Sequence, residues 1–222
     1  GQVFYQFYGQ SEAPMVVTNM RRAEHDLSKP ERLSSCGRPS PWIHLALLDS
    51  EGNEVPQGEP GEICVRGPLV MKGYKDMPEQ TAETFAGGWL HTGDVGRLDE
   101  DGFLYIVDRT KDMIVTGGFN VFPREVEDVL ATHEAVAQVV VIGVPDEKWG
   151  EAVKAVVVPK PGAETSDTLV AELQALVKDA KGSVQAPKSV DFVEAIPLTP
   201  VGKPDKKAVR AQYWEGADRG VG

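Results

Sequence analysis

The chain has 222 residues, 41% of them hydrophobic and 26% charged, with a formal net charge of −11. That length holds one large domain or two small ones in an ordinary soluble globular composition. An isoelectric point near 4.9 argues against nucleic acid or an anionic membrane as a general partner, while a locally basic pocket for one anionic ligand stays compatible with it.

The opening, Gly1-Gln2-Val3-Phe4-Tyr5-Gln6-Phe7-Tyr8, has no initiator Met and no charged n-region of a signal peptide. It reads as the inside of a buried strand, so the chain is expected to be cut from something longer. The strand stops at Gly9-Gln10-Ser11-Glu12, where a hydroxyl and a carboxylate follow a glycine, as in ligand-facing loops at strand C-termini. Taken singly, these residues are plain turn chemistry. Met15-Val16-Val17-Thr18 is a further strand candidate, followed by a polar loop over 21–35. Cys36 and Cys64 stand alone, which fits a reducing cytoplasm and no metal site.

Residues 41–107 read as β-rich, with strands at His44-Leu45-Ala46-Leu47-Leu48 and Glu62-Ile63-Cys64-Val65-Arg66 between Gly/Pro turns, a pattern of small barrels and sandwiches. Pro78 to Phe85 is a short helix candidate with an acidic first turn. Gly88-Trp89-Leu90-His91-Thr92-Gly93-Asp94 is too apolar to be a mere exposed turn. The central stretch runs from the apolar Phe103-Leu104-Tyr105-Ile106-Val107, through the charged Asp108-Arg109-Thr110-Lys111-Asp112, to Met113-Ile114-Val115 and the pair Gly117-Gly118. Two readings stand: a hinge beside a ligand channel, or a β-hairpin with a polar turn.

Beyond it the pattern becomes α+β. Pro123 to Leu130 is a helix with Pro at its start, and Val139 to Val144 and Ala152 to Val158 are buried strands. Thr168 to Ala180 is an amphipathic helix with Leu169, Leu173, Leu176 and Val177 on one face. A strand from Val190 to Val193, the loop Ile196-Pro197-Leu198-Thr199-Pro200-Val201-Gly202-Lys203 and a helix over about 205–212 follow, and the tail Glu215 to Gly222 is expected to fray. No stretch reaches the about 18 apolar residues of a membrane span.

Six motifs in this order resemble the acyl-adenylate-forming superfamily of acyl-CoA synthetases, luciferase and peptide-synthetase adenylation domains. They are Tyr8-Gly9-Gln10-Ser11-Glu12; Gly61 to Gly67 running on to Gly73-Tyr74; Trp89 to Asp94; Asp108 to Asp112; Gly117 to Glu127; and Pro197 to Lys203. Gly-Gly-Phe-Asn-Val-Phe-Pro after the hinge is most similar to the acyl- and aryl-CoA ligase branch. No Ser/Thr/Gly-rich phosphate loop is present.

The resemblance implies the C-terminal portion of a longer ligase, α/β and α+β and multidomain. Residues 1–110 would end the large AMP-binding domain, with its β-barrel portion at about 41–107, and 111–222 would form the small mobile α+β domain. It further implies ATP, Mg²⁺ and CoA, with Tyr8 packed on adenine, Ser11 on phosphate, Ile106 at the nucleotide, and Asp94 and Arg109 on the ribose. Glu12 would bind Mg²⁺, Lys203 would act on the carboxylate and α-phosphate, and Lys111 would be the hinge. Gly117 and Gly118 would line the pantetheine channel, and Trp149 would stack on the CoA nucleotide or serve as a structural strand-edge residue. The implied partners are the N-terminal portion of the same enzyme and a small carboxylic acid, in a cytoplasmic setting; a homodimer is compatible. At Val184-Gln185-Ala186-Pro187-Lys188, Val and Gln replace an aromatic and a basic residue usual in relatives. The alternatives are therefore an enzyme loading a carrier-protein pantetheine, or a non-catalytic binding module.

Overall fold

The computed structural model describes residues 3–214. The expectation for the tail Glu215 to Gly222, and the start of the opening strand at Gly1-Gln2, lie outside them. Two compact units divide the chain, Gly1–Thr110 and Lys111–Gly222.

In the first unit, β1 (Gln6–Tyr8), β2 (Thr18–Met20) and β3 (Arg38–Pro39) form an antiparallel sheet in that order. The opening strand is shorter than its apolar run predicts, and only Tyr8 of it is buried. Val3, Phe4 and Tyr5 precede β1 and are each more than half exposed, and within β1 Phe7 is exposed because successive side chains point to opposite faces. The second strand starts three residues later than expected. Gln10 and Ala13 exchange backbone hydrogen bonds and Met15 takes φ 67°, so the chain is still turning there.

A second sheet is the antiparallel meander β4 (His44–Leu48), β5 (Gly61–Arg66), β6 (Leu90–Leu98) and β7 (Leu104–Arg109), with α1 (Pro78–Thr84) between β5 and β6. Gly37, just before β3, bridges to Leu104 of β7 and joins the two sheets edge to edge. Their shared core includes Tyr8, Val17, Leu47, Ile63, Val65, Leu90 and Leu104. The polar loop over 21–35 carries two 3-10 turns.

The second unit is α+β. Its strands are β8 (Ile114–Thr116), β9 (Phe119–Val121), β10 (Val136–Asp146), β11 (Gly150–Pro159) and β12 (Ser189–Phe192). The helices are α2 (Pro123–Leu130), α3 (Asp167–Lys181) and α4 (Lys206–Ala211). β10 and β11 form a long antiparallel hairpin; β12 runs parallel to β11, and β8 meets β11 at a single residue pair, Thr116 with Gly150. The hairpin is apolar on both faces. Val141, Val153, Ala155 and Val157 join Val126 and Leu130 of α2 and Leu169, Leu173 and Val177 of α3, whereas Val140, Ile142 and Val156 meet Ile196 and Val209 of α4. Two covered faces explain why these strands are continuous valine runs instead of alternating ones.

The hairpin reading of the central stretch is corrected. β7 pairs with β6, and β8 pairs with β9, so the two apolar runs flanking the charged joint belong to different sheets.

Candidate active site

Asp94 is the centre of the first unit's polar cluster. β5 and β6 lose register between Glu62 and Cys64, so Thr92-Gly93-Asp94 bulges out of the ladder. The bulge aims Asp94 at the end of β1. There Oδ2 accepts hydrogen bonds from the Tyr8 hydroxyl at 2.8 Å and from Gln10 Nε2 at 2.7 Å, and Gln10 Nε2 also reaches the Thr92 carbonyl at 2.9 Å. Arg109, the cross-strand partner of Asp94, brings Nε within 3.2 Å of Oδ1. A carboxylate has about four lone-pair sites, and these donors take three, so Oδ1 retains capacity for a ligand hydroxyl. Burial, followed by the negative charge of Asp94, drives the Tyr8 phenol far above its ordinary pKa. The Tyr8 ring lies in the core, so its hydroxyl is the part engaged in the cluster.

The bulge is braced from behind. Glu62 accepts the Gly93 amide at 3.0 Å and the His91 Nδ1–H at 2.7 Å, with Cys64 Sγ at 3.4 Å from the same nitrogen. These three side chains bring their ligand atoms within 4.8 Å of one another, a metal-type grouping that cysteine spacing alone did not reveal. Burial, then the Glu62 charge, push the Cys64 thiol up to about 12.

Further along the loop Ser11 is exposed, and Glu12 turns to accept the Tyr74 hydroxyl at 2.8 Å, which pushes that phenol's pKa up. Ile106 is 39% exposed on β7.

In the second unit Lys111 is exposed within a 3-10 turn, Thr110–Asp112. Asp112, the next residue, pairs with Arg210 of α4 at 3.2 Å. Gly117 and Gly118 are the two central residues of the β8–β9 turn, at φ 57° and 82°, a type I′ geometry that demands positive φ at both. A Cβ on Gly117 would come within 2.6 Å of the Trp149 ring, while Gly118 faces open space. Trp149 is 44% exposed, with Lys148 Nζ 4.5 Å from its ring centroid. Lys203 is exposed on a loop whose backbone is closed by Thr199: the Thr199 N–H donates to the Lys203 carbonyl at 2.7 Å, and the Lys203 N–H to Thr199 Oγ1 at 3.1 Å.

Of the predicted residues, Tyr8, Asp94 and Arg109 converge, as do Gly117 and Trp149, whereas Glu12 is engaged by Tyr74. Gln10 and Glu62 were missed. Both stand inside the quoted motifs, so their position was visible, but nothing local showed that they hold Asp94 and its bulge.

Residues 1–75 match the family model of the AMP-binding enzyme, and residues 125–203 match that of the AMP-binding enzyme C-terminal domain. The chain belongs to the AMP-binding enzyme family. It is 62% identical, over its whole length, to a medium/long-chain-fatty-acid–CoA ligase of Mycobacterium tuberculosis, covering 39% of that protein. It is 38% identical over 98% of its length to a fatty acid–[acyl-carrier-protein] ligase of Streptomyces coeruleorubidus, covering 41% of it. Among solved structures, the amide bond synthetase McbA of Marinactinospora thermotolerans superposes with a TM-score of 0.82 at 43% identity, over 96% of this chain and 42% of that one. This member of the family thus spans about two fifths of the length of the relatives it matches.

Proposed function

We propose that the chain is the C-terminal portion of an ATP-dependent acyl-CoA synthetase. A carboxylate and ATP give acyl-AMP and pyrophosphate, and the CoA sulfur then displaces AMP to give the thioester. Residues 1–110 close the large AMP-binding domain, and 111–222 are the small mobile domain hinged at Lys111. The observation that carries this reading is the Asp94 cluster: a buried carboxylate held by Tyr8 and Gln10 of one family motif and Arg109 of another, in a chain 62% identical to a fatty-acid–CoA ligase.

Held this way, Asp94 offers Oδ1 to a ribose hydroxyl, with Arg109 beside it. Ser11 serves the phosphates and Ile106 the base. Glu12 keeps one carboxylate oxygen clear of the Tyr74 bond, which fits a hard cation shared with substrate phosphates. Mg²⁺ there would neutralise phosphate charge. The exposed ammonium of Lys203 meets the charge that builds between the substrate carboxylate and the α-phosphate. A turn about Lys111 then exchanges Lys203 for the Gly117-Gly118 channel. A second reading, with carrier-protein pantetheine as the acceptor, is favoured by the changed residues Val184 and Gln185 and by the likeness to an acyl-carrier-protein ligase.

The test is pyrophosphate release with ATP, Mg²⁺ and a panel of carboxylic acids. Half a site cannot hold reacting groups to a fraction of an ångström, so the isolated 222 residues should make no acyl-AMP while the full-length enzyme does. Thiol transfer to CoA against a pantetheinylated carrier protein separates the two acceptors. The exposed Val3, Phe4, Tyr5 and Phe7 should drive self-association through residues 1–40, lost when the chain starts near Asp112. Turnover by the isolated chain overturns the reading.

A further inference from the structure

Glu151 is a carboxylate with 5% exposure at the start of β11, outside every motif used above. Taking a carboxylate out of water is costly unless hydrogen bonds replace the lost hydration. One such bond is informative: Oε2 accepts the backbone N–H of Val115, in β8, at 2.9 Å. β8 is attached to the main sheet by very little. Thr116 pairs with Gly150, and the Gly117 N–H donates to the Trp149 carbonyl at 2.9 Å. At the next position along, the Glu151 side chain takes the Val115 amide, doing with a carboxylate what a backbone carbonyl does in a regular ladder. The point at which Glu151 anchors β8, Val115, therefore stands two positions before the Gly117-Gly118 turn.

Neighbouring residues are shaped around that carboxylate. Gly143 lies on β10, and a Cβ there would come within 2.9 Å of both Cδ and Oε2 of Glu151. Gly143 needs no positive φ, so the close approach of the carboxylate is the physical reason for a glycine. Trp149 in turn packs so tightly on Gly117 that no side chain fits there. Trp149, Gly150 and Glu151 thus make a three-residue platform beneath the β8–β9 hairpin.

We propose that Glu151 is a positioning residue for the thioester half-reaction, holding the Gly117-Gly118 turn at the height the thiol channel requires, with Gly143 leaving room for its carboxylate. This rests on the functional reading above. It adds a residue that touches neither substrate nor cofactor and acts in one half-reaction only, because the hairpin lines the channel only when the thiol attacks.

The test measures the two half-reactions of the full-length enzyme separately: pyrophosphate release for adenylation, and CoA transfer from preformed acyl-AMP. Glu151→Ala should slow transfer about a hundredfold, the cost of a displacement near 1 Å, with adenylation near the wild-type rate. Glu151→Gln keeps an oxygen for the Val115 amide and should transfer near the wild-type rate. Gly143→Ala, which leaves the carboxylate in place but crowds it, should reproduce the defect of Glu151→Ala. Amide exchange in the 222-residue chain reads the anchor directly: Val115 should exchange at least about tenfold faster in Glu151→Ala and stay protected in Glu151→Gln.

Unchanged transfer in Glu151→Ala overturns the proposal, as does equal loss in both half-reactions, or a Glu151→Gln enzyme as poor as Glu151→Ala. Should Glu151→Ala not fold, Gly143→Ala and Glu151→Gln decide. A wild-type enzyme without CoA transfer overturns the functional reading instead, and the Val115 exchange rates then decide whether Glu151 anchors the hairpin.

Discussion

Asp94 and Lys203 are held in opposite ways. The Asp94 side chain, 9% exposed, sits on a β-bulge and is gripped by a phenol, a carboxamide and a guanidinium. Lys203 stands in solvent on a loop whose backbone is closed by Thr199, and no carboxylate among the described residues is paired with it. The contrast matches the two tasks proposed for them. A nucleotide bound through both half-reactions is best met by a preorganised acceptor. A cation needed in one half-reaction is best carried at the end of a long side chain on a firm loop, where leaving the site disturbs no packing.

Removing the mobile partner gives the largest effect. Lys203→Ala in the full-length enzyme should lower adenylation by about 10³-fold, since a charge aimed at the developing transition state is lost. Thioester formation from preformed acyl-AMP should be nearly spared. Equal loss in both steps would remove the contrast altogether.

Fixing the joint tests the same idea from the backbone. Lys111→Pro sets φ near −65° and should leave one half-reaction working while the other collapses. Wild-type rates in both would make Lys111 an ordinary turn residue.

The fixed partner responds differently. Asp94→Asn puts an NH₂ among donors, so one of Tyr8, Gln10 or Arg109 loses its acceptor. We expect about 1–3 kcal/mol of lost stability in chemical denaturation together with a raised KM for ATP. A rise in KM at unchanged stability would show that the protein contacts to Asp94 carry no energy of their own.

The smallest effect comes from a paired carboxylate away from the site. For Asp191, burial alone would raise the pKa, but hydrogen bonds from Lys154 and Tyr213 outweigh it and hold the group below its ordinary 3.8. A depressed folded-state pKa gives stability that is full above the unfolded value and lost as pH falls through the folded one. At 40% side-chain exposure solvent screens most of this, leaving about 0.2–1 kcal/mol that should start to fade as pH falls to about 4, be lost as it falls further through the folded-state pKa, and be absent from Asp191→Asn in acid unfolding curves.

Much of the second unit was legible from local signals. α2 occupies Pro123–Leu130 because proline starts it and its apolar spacing follows a helical face, and α3 is capped by Ser166 and closed by Gly182. The first unit was less so. Val3 to Phe7 looks like a buried strand in composition and is exposed in this chain. The hairpin drawn across the charged joint failed for a related reason: two adjacent apolar runs say that strands exist, not with which strands they pair.

Sequence alone determined the order of the motifs and the strands and helices with strong periodicity, since propensity and turn chemistry act within a few residues, while Asp94, Arg109, Gly117 and Lys203 became candidates through the family resemblance those motifs carry. Tertiary structure alone decided that Gln10 reaches Asp94 across 84 positions and that Glu62 ties down the bulge. It also decided that Glu151 takes the Val115 amide, 36 positions away. Each of these contacts depends on the register of strands far apart in the chain, where a slip of one residue would turn the side chain to the other face of the sheet.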